Sequence, residues 1–285
     1  MKALEWRSER ELVIDGVHFD CAIDDFSRKT SRDRLVLLKN RGVLDFYAQM
    51  FAEDPPRNML EFGIFQGGSP ALYSLWFDLD KFVGVDICPP VESFEDFCRH
   101  HEAGRKIRTY YGVSQSDQAR VEEIVRNEFG AAPIDVIIDD ASHQYHHTRR
   151  TFEITFPLLR PGGWYIIEDW GWGHWPNWKQ LEKAYGEQTS LSMLIMELLM
   201  LCASRSDIVS EVRVFPAFAF VRKCPEAKPL TRFALSELYR KQGIELVGTQ
   251  HLHLAGVAGL VATRARRRLR RTGHKLVRAM STCFR

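Results

Sequence analysis

The sequence predicts an α/β fold, an open and mostly parallel sheet with a C-terminal antiparallel hairpin, and three observations carry that expectation. From Asn58 onward, short apolar runs bounded by glycines alternate with helical patterns, the signature of βαβ units. Two of those runs end in paired acids, Asp139-Asp140 and Glu168-Asp169, at the edge where an open α/β sheet binds its ligands. Two further apolar segments, 212–215 and 218–222, are separated only by Pro216-Ala217, which makes them a hairpin.

Residues 1–57 are expected to form an N-terminal helical cap, with an alternating segment at 11–19 and a helical pattern over 33–51 that the Pro55-Pro56 pair ends. The strands of the main domain, 58–223, are expected at 59–62, 82–85, 108–111, 136–138 and 164–167. A helix is expected over 144–156, and an apolar one over 191–203, where Met193, Met196 and Met200 recur at helical spacing and belong to the core. Residues 224–263 read as a C-terminal extension with a helix at 231–242 and a strand near 244–247. A basic tail, 264–285, closes the chain, its run 264–278 reading as a solvated helix or as disorder.

With 285 residues, 45% of them hydrophobic and 27% charged, the chain is long enough for one large α/β domain with appendages. Its longest apolar stretch, 191–203, is interrupted by Glu197 and falls short of the roughly 20 residues a bilayer demands, so no membrane span is expected. Glu5, Arg7, Glu9 and Arg10 stand where a secretory signal needs an apolar core, which points to the cytoplasm. The six cysteines contain no C-x-x-C pair, against both a zinc knuckle and a dithiol redox site. Residues 261–285 hold nine Lys or Arg and no acid; subtracting these from the net +2 leaves −7 for residues 1–260.

Two constellations carry chemistry. The turn Gly63-Ile64-Phe65-Gln66-Gly67-Gly68-Ser69 follows the first main strand, and its glycines let backbone approach a nucleotide or amino acid. Phe65 stands where a dinucleotide fingerprint needs glycine, which disfavours NAD. Asp86 ends the second strand, where an acid accepts hydrogen bonds from a ribose diol or else caps a helix, and Gln115-Ser116-Asp117 either meets an adenine edge or starts a helix. If the strands ending at Asp140 and Glu168 are neighbours, then Asp140, Glu168 and Asp169 converge, and three carboxylates that close call for a hard cation such as Mg²⁺. His143 is then placed either to take a proton from a hydroxyl at that cation or merely to cap the next helix. Trp170, Trp172, Trp175 and Trp178 form a lid or stacking wall for a sugar or aromatic ring, or pack against the body.

The segments Leu60-Glu61-Phe62-Gly63, Val83-Gly84-Val85-Asp86, Ile138-Asp139-Asp140-Ala141-Ser142-His143 and Gly162-Gly163-Trp164-Tyr165-Ile166-Ile167-Glu168-Asp169 together resemble the class I methyltransferases of the macrolide and rhamnosyl O-methyltransferase group, which includes the cephalosporin hydroxylase-like proteins. The resemblance covers roughly residues 58–223 and implies a Rossmann-like sheet, S-adenosylmethionine, Mg²⁺ and methylation of sugar hydroxyls on natural products. It implies Asp140, Glu168 and Asp169 as metal ligands, His143 as catalytic base, and Glu61, Gly63, Ser69, Asp86, Ser116, Asp117 and Asp139 as cofactor contacts. The chain departs from the group in its third-strand motif Gly112-Val113-Ser114-Gln115-Ser116-Asp117, in the tryptophan-rich loop and in a shorter N-terminal part.

The expected partner is therefore a glycosylated or otherwise diol-bearing small molecule, a catechol satisfying the same geometry, and a homo-oligomer is compatible with this reading. A nucleic-acid methyltransferase or binding protein rests only on the basic run 264–278, which has no interleaved aromatic residue, so no nucleic acid is expected. A nicotinamide-dependent oxidoreductase is opposed by Phe65 and by the crowd of acids; a scaffold that keeps the pocket without catalysis is opposed by the complete acid and histidine set.

Overall fold

Every residue of β5 (Asn58–Phe62) is buried, as a strand covered on both faces requires. In the computed structural model, which describes residues 1–21, 25–175, 189–229 and 233–239, the chain before it passes through β1 (Glu5–Ser8), β2 (Glu11–Ile14), β3 (Val17–Cys21), β4 (Leu35–Leu37) and α1 (Arg41–Met50). After it come α2 (Gly68–Trp76), β6 (Lys81–Val85), α3 (Glu92–His100), β7 (Ile107–Tyr110), α4 (Gln118–Phe129), β8 (Ile134–Asp139), α5 (Tyr145–Thr155) and β9 (Leu159–Glu168). The helix α6 (Ser192–Ser204), the strands β10 (Val209–Val214) and β11 (Phe218–Lys223), and the single turn α7 (Leu235–Leu238) follow.

The main sheet has seven strands in the order β10-β11-β9-β8-β5-β6-β7. Neighbours from β9 to β7 are parallel, whereas β11 runs against both β9 and β10, so the hairpin supplies one reversed strand. The chain leaves β5 toward β6 and β7 and then crosses back to β8, and such a reversal opens a crevice beyond the carboxyl ends of β5 and β8. Alternate residues supply two cores. Leu60, Phe62, Ile137, Tyr165 and Ile167 pack with α4, α5 and α6, while Met59, Val136, Ile138, Trp164 and Ile166 pack with α1, α2 and the N-terminal strands. Residues 1–240 form one compact unit. Among the described residues no helix is long and apolar enough to cross a membrane.

The N-terminal 57 residues are not the helical cap that the pattern predicts. They build a four-stranded sheet, β1-β2-β3-β4, and only the second part of the 33–51 pattern is helical. Leu35–Leu37 is instead a strand parallel to β3, all three residues buried. The run Leu35-Val36-Leu37-Leu38 suits a covered strand as well as a helix, and periodicity alone does not separate them. Asn40 decides the start of α1, its side chain accepting from the Val43 amide at 3.0 Å. Of the expected helix at 231–242 residues 233–239 are described, and only α7 among them is helical; Met196, expected in the core, is 40% exposed. The strand expected near 244–247 and the basic tail 264–285 lie outside the described residues.

Gly63 and Gly68 lock the crevice together. Gly63 has φ 97°, and a Cβ there would stand 2.1 Å from the Asp140 carbonyl oxygen; one on Gly68 would stand 2.1 Å from the Val36 carbonyl. Gly63→Ala should therefore lower stability by about 2–5 kcal/mol, strain and overpacking combined. Urea unfolding measures this, and an unchanged midpoint would contradict the close approach.

Candidate functional site

The sheet register creates the acid cluster. Asp139 pairs with Ile167 across β8 and β9, which sets the next residues, Asp140 and Glu168, side by side. Phe62 pairs with Asp139 across β5 and β8, which brings Gly63 against Asp140. Polar atoms of Asp140, His143 and Asp169 all lie within 4.8 Å of one another. The carboxylate of Asp169 accepts no hydrogen bond from the described residues.

Glu168 is held from behind. Its Oε1 accepts from the Tyr47 hydroxyl at 2.6 Å and its Oε2 is ion-paired with the Lys39 ammonium, which also reaches Asp140 Oδ2 at 3.1 Å. Neither Lys39 nor Tyr47 was legible as a site residue: one ends an apolar run, the other sits in an amphipathic helix, and nothing local marks either. Burial, then the neighbouring Asp140, pushes the Glu168 carboxyl above the usual carboxylate range, against the pull of Lys39 and Tyr47. Burial raises Asp169 too, with His143 opposing. Burial works against the Lys39 ammonium, but Asp140 and Glu168 outweigh it and keep the group well above the ordinary lysine value.

The loops that carry this cluster are strained. Outside glycine, the described residues with positive φ are Asp15 and three at the sheet edge, Phe65, His143 and Asp169, with φ of 50°, 52° and 51° at the last three. Each such conformation costs about 1–3 kcal/mol and persists only where its surroundings impose it. Here they do: Trp172 Nε1 donates to the His143 carbonyl at 2.9 Å, and the Asp169 amide donates to the Ala217 carbonyl at 2.6 Å. Trp170 Nε1 likewise donates to the Phe215 carbonyl at 2.7 Å. Trp170 and Trp172 therefore tie loops down by packing, the plainer of their two expected roles, and Trp178 lies outside the described residues.

The turn after β5 sits beside the cluster. Glu61 is fully buried, its Oε2 accepts from Ser69 Oγ at 2.9 Å, and its Oε1 has no partner among the described residues. Burial pushes its carboxyl well above the normal range. Asp86 caps no helix, since α3 starts at Glu92. Its Oδ2 accepts from the amides of Ile64 and Phe65 at 2.6 and 2.9 Å, and its Oδ1 from that of Cys88 at 2.7 Å, which ties the glycine-rich turn to the end of β6. Asp139 is buried with Gln115 Nε2 at 3.0 Å and the Tyr165 hydroxyl at 3.1 Å, and burial raises its pKa to about 6. Ser116 Oγ meets His147 Nδ1 at 2.9 Å, while Asp117 caps α4 through the Arg120 amide at 3.2 Å, the plainer reading of that residue. Gln115 is the residue that connects this loop to the site, because its side chain also accepts from the Ser142 amide at 2.9 Å. His146 and His147 are exposed.

The donor set fits a hard divalent cation, with carboxylate oxygens and an imidazole within ligand reach and one carboxylate that no donor among the described residues meets. A groove of about 690 Å³ between β3 and α3, lined by His18, Arg34 and Phe97 among others, contains none of these side chains.

Residues 60–170 match the family model described as "Methyltransferase domain". The 8-demethyl-8-alpha-L-rhamnosyl tetracenomycin-C 2'-O-methyltransferase of Streptomyces olivaceus is 29% identical over 65% of this chain and 41% of its own length. The mycinamicin VI 2''-O-methyltransferase of Micromonospora griseorubida is 34% identical over 45% of this chain and 29% of its own length. The chain thus spans less than half the length of these curated relatives. The solved MycE methyltransferase from the mycinamycin biosynthetic pathway, in complex with Mg and SAH, is 27% identical with a TM-score of 0.49, covering 65% of this chain and 50% of that one.

Replacing Tyr47 with Phe leaves a buried Glu168 oxygen without its donor and should cost about 1–3 kcal/mol. Chemical unfolding of the variant reads this directly, and equal stability would show that the phenol does not hold the carboxylate.

Proposed function

Because the chain is related to the class I S-adenosylmethionine-dependent methyltransferases of the macrolide and sugar O-methyltransferase group, we propose that it transfers a methyl group from S-adenosylmethionine to a hydroxyl of a sugar or other vicinal-diol small molecule in natural-product or glycan biosynthesis. The observation that carries this reading is the convergence of Asp140, His143 and Asp169 within 4.8 Å beside a buried acid and a glycine-rich turn. Acid pairs on neighbouring strand ends suit a substrate that offers two adjacent oxygens, which favours a diol over an isolated alcohol.

Asp140 and Asp169, with Glu168 behind them, would hold Mg²⁺ or a similar ion; Glu168 keeps lone pairs beyond those that Tyr47 and Lys39 use. Such an ion supplies a fixed positive charge that eases deprotonation of a hydroxyl. S-adenosylmethionine supplies an electrophilic methyl on a sulfonium. Glu61, Gly63, Ser69, Asp86, Ser116 and Asp139 would line its cradle, with the Asp86 carboxylate beside the ribose and the loop of Ser116 beside the base. His143 takes the acceptor's proton at an imidazole nitrogen, which any neutral histidine offers. Its strained backbone is pinned by Trp172, and its ring nitrogen lies within 4.8 Å of carboxylate oxygens of Asp140 and Asp169.

Asp140→Ala and Asp169→Ala should each abolish metal-dependent turnover while leaving S-adenosylmethionine binding, read by calorimetry, within a few fold of the parent. His143→Ala should slow transfer by about 10²- to 10⁴-fold, the range for a lost general base. A screen of glycosylated and catecholic acceptors with labelled methyl donor checks these outcomes, and turnover that survives chelation and both acid replacements overturns the reading.

A further inference from the structure

Among the described residues two lysines are buried, and they are used differently. Lys223 donates to the backbone carbonyls of Phe156, Pro157 and Leu159, which makes it a tie between loops. Lys39, only 4% exposed, spends its ammonium on Asp140 and Glu168, two of the three acids of the candidate metal site. Burying an ammonium costs several kcal/mol, and it is tolerated only where opposite charge faces it closely. Glu61 and the hydroxyl of Tyr73 also act on the group. The carboxylates that face the ammonium in ion pairs are those of Asp140 and Glu168, and Asp169 lies beside Asp140.

Those three carboxylates carry −3 when ionised, and the ammonium brings the cluster to −2. Lys39 also fixes geometry. It engages Asp140 Oδ2 and Glu168 Oε2 and forms no ion pair with Asp140 Oδ1 or the Asp169 carboxylate. Resting on the metal reading above, we propose that Lys39 is a positioning residue of that site, a built-in cation that holds Asp140 and Glu168 and trims the cluster's charge to suit a divalent ion over a trivalent one. It touches no reacting atom; it acts through the acids. The N-terminal segment is in consequence part of the site, since Lys39 and Tyr47 flank Glu168 from opposite oxygens.

The test uses the full chain and two probe ions, Mn²⁺ followed by electron paramagnetic resonance and Tb³⁺ followed by luminescence. The quantity read is the ratio of Tb³⁺ to Mn²⁺ affinity. Lys39→Met should raise that ratio by about tenfold or more, because one unit charge a few ångströms from the ion acts more strongly on +3 than on +2. Glu168→Gln should lower it by a similar factor, and the double variant, again at −2, should return near the parent. Should Lys39→Met alone fail to fold, the double variant must still exceed Glu168→Gln by about tenfold. Equal ratios in that pair overturn the role of Lys39 while leaving the metal reading intact. Mn²⁺ uptake by Lys39→Met but not by the parent makes the ammonium a competitor and overturns the role as well. If no variant takes up either ion, the metal reading falls and this inference with it.

Discussion

Repulsion among carboxylates is the constraint around which the rest of this protein is arranged. Parallel pairing of β8 with β9 in one register sets Asp140 beside Glu168 and puts Asp169 next in line. At a sheet edge that is largely out of water, such a group is stable only if positive charge or hydrogen-bond donors answer it. The fold answers with the Lys39 ammonium and the Tyr47 hydroxyl on Glu168, and among the described residues it leaves Asp169 without a donor. A half-buried acid without a donor is a structural cost that a bound cation would remove, and that links the packing to the proposed chemistry.

The same edge concentrates backbone strain. Phe65, His143 and Asp169 all adopt a left-handed conformation that β-carbon-bearing residues avoid. They sit on the loops after β5, β8 and β9, the strands that bound the crevice at the reversal of strand order. Neighbouring loops impose the strain through specific bonds, from Trp172 to the His143 carbonyl, from the Asp169 amide to Ala217 and from the Ile64 and Phe65 amides to Asp86. Loops cross-linked in this way hold side chains in place without relying on a ligand, and preorganised groups are the ones that lower a barrier.

The N-terminal segment has two functions that a cap would not have. Its strands and α1 cover one face of the main sheet, where Tyr47 packs among Phe51, Tyr73, Phe218 and Phe220. Val36 also presses its carbonyl against Gly68 at the start of α2. This packing is what carries Lys39 into the acid cluster, so the stability of the N-terminal sheet and the electrostatics of the site are coupled.

By itself the sequence determined the strands of residues 58–223 and the two helices α5 and α6, because apolar period and glycine punctuation are local properties that survive without tertiary contacts. It also determined the chemical alphabet of the site, since Asp139, Asp140, His143, Glu168 and Asp169 cluster in two short motifs at strand ends. Tertiary structure decided the rest. Whether Leu35–Leu37 becomes a strand depends on β3 lying beside it, a pairing across more than a dozen residues that periodicity does not encode. Whether Asp117 meets a ligand or caps α4, and whether the tryptophans form a wall or a brace, depends on which backbone groups arrive nearby. The partnership of Lys39 with Glu168 spans 129 positions; a charge pair of that reach has no sequence signature, because only the folded chain brings an isolated lysine to the acids that make its burial affordable.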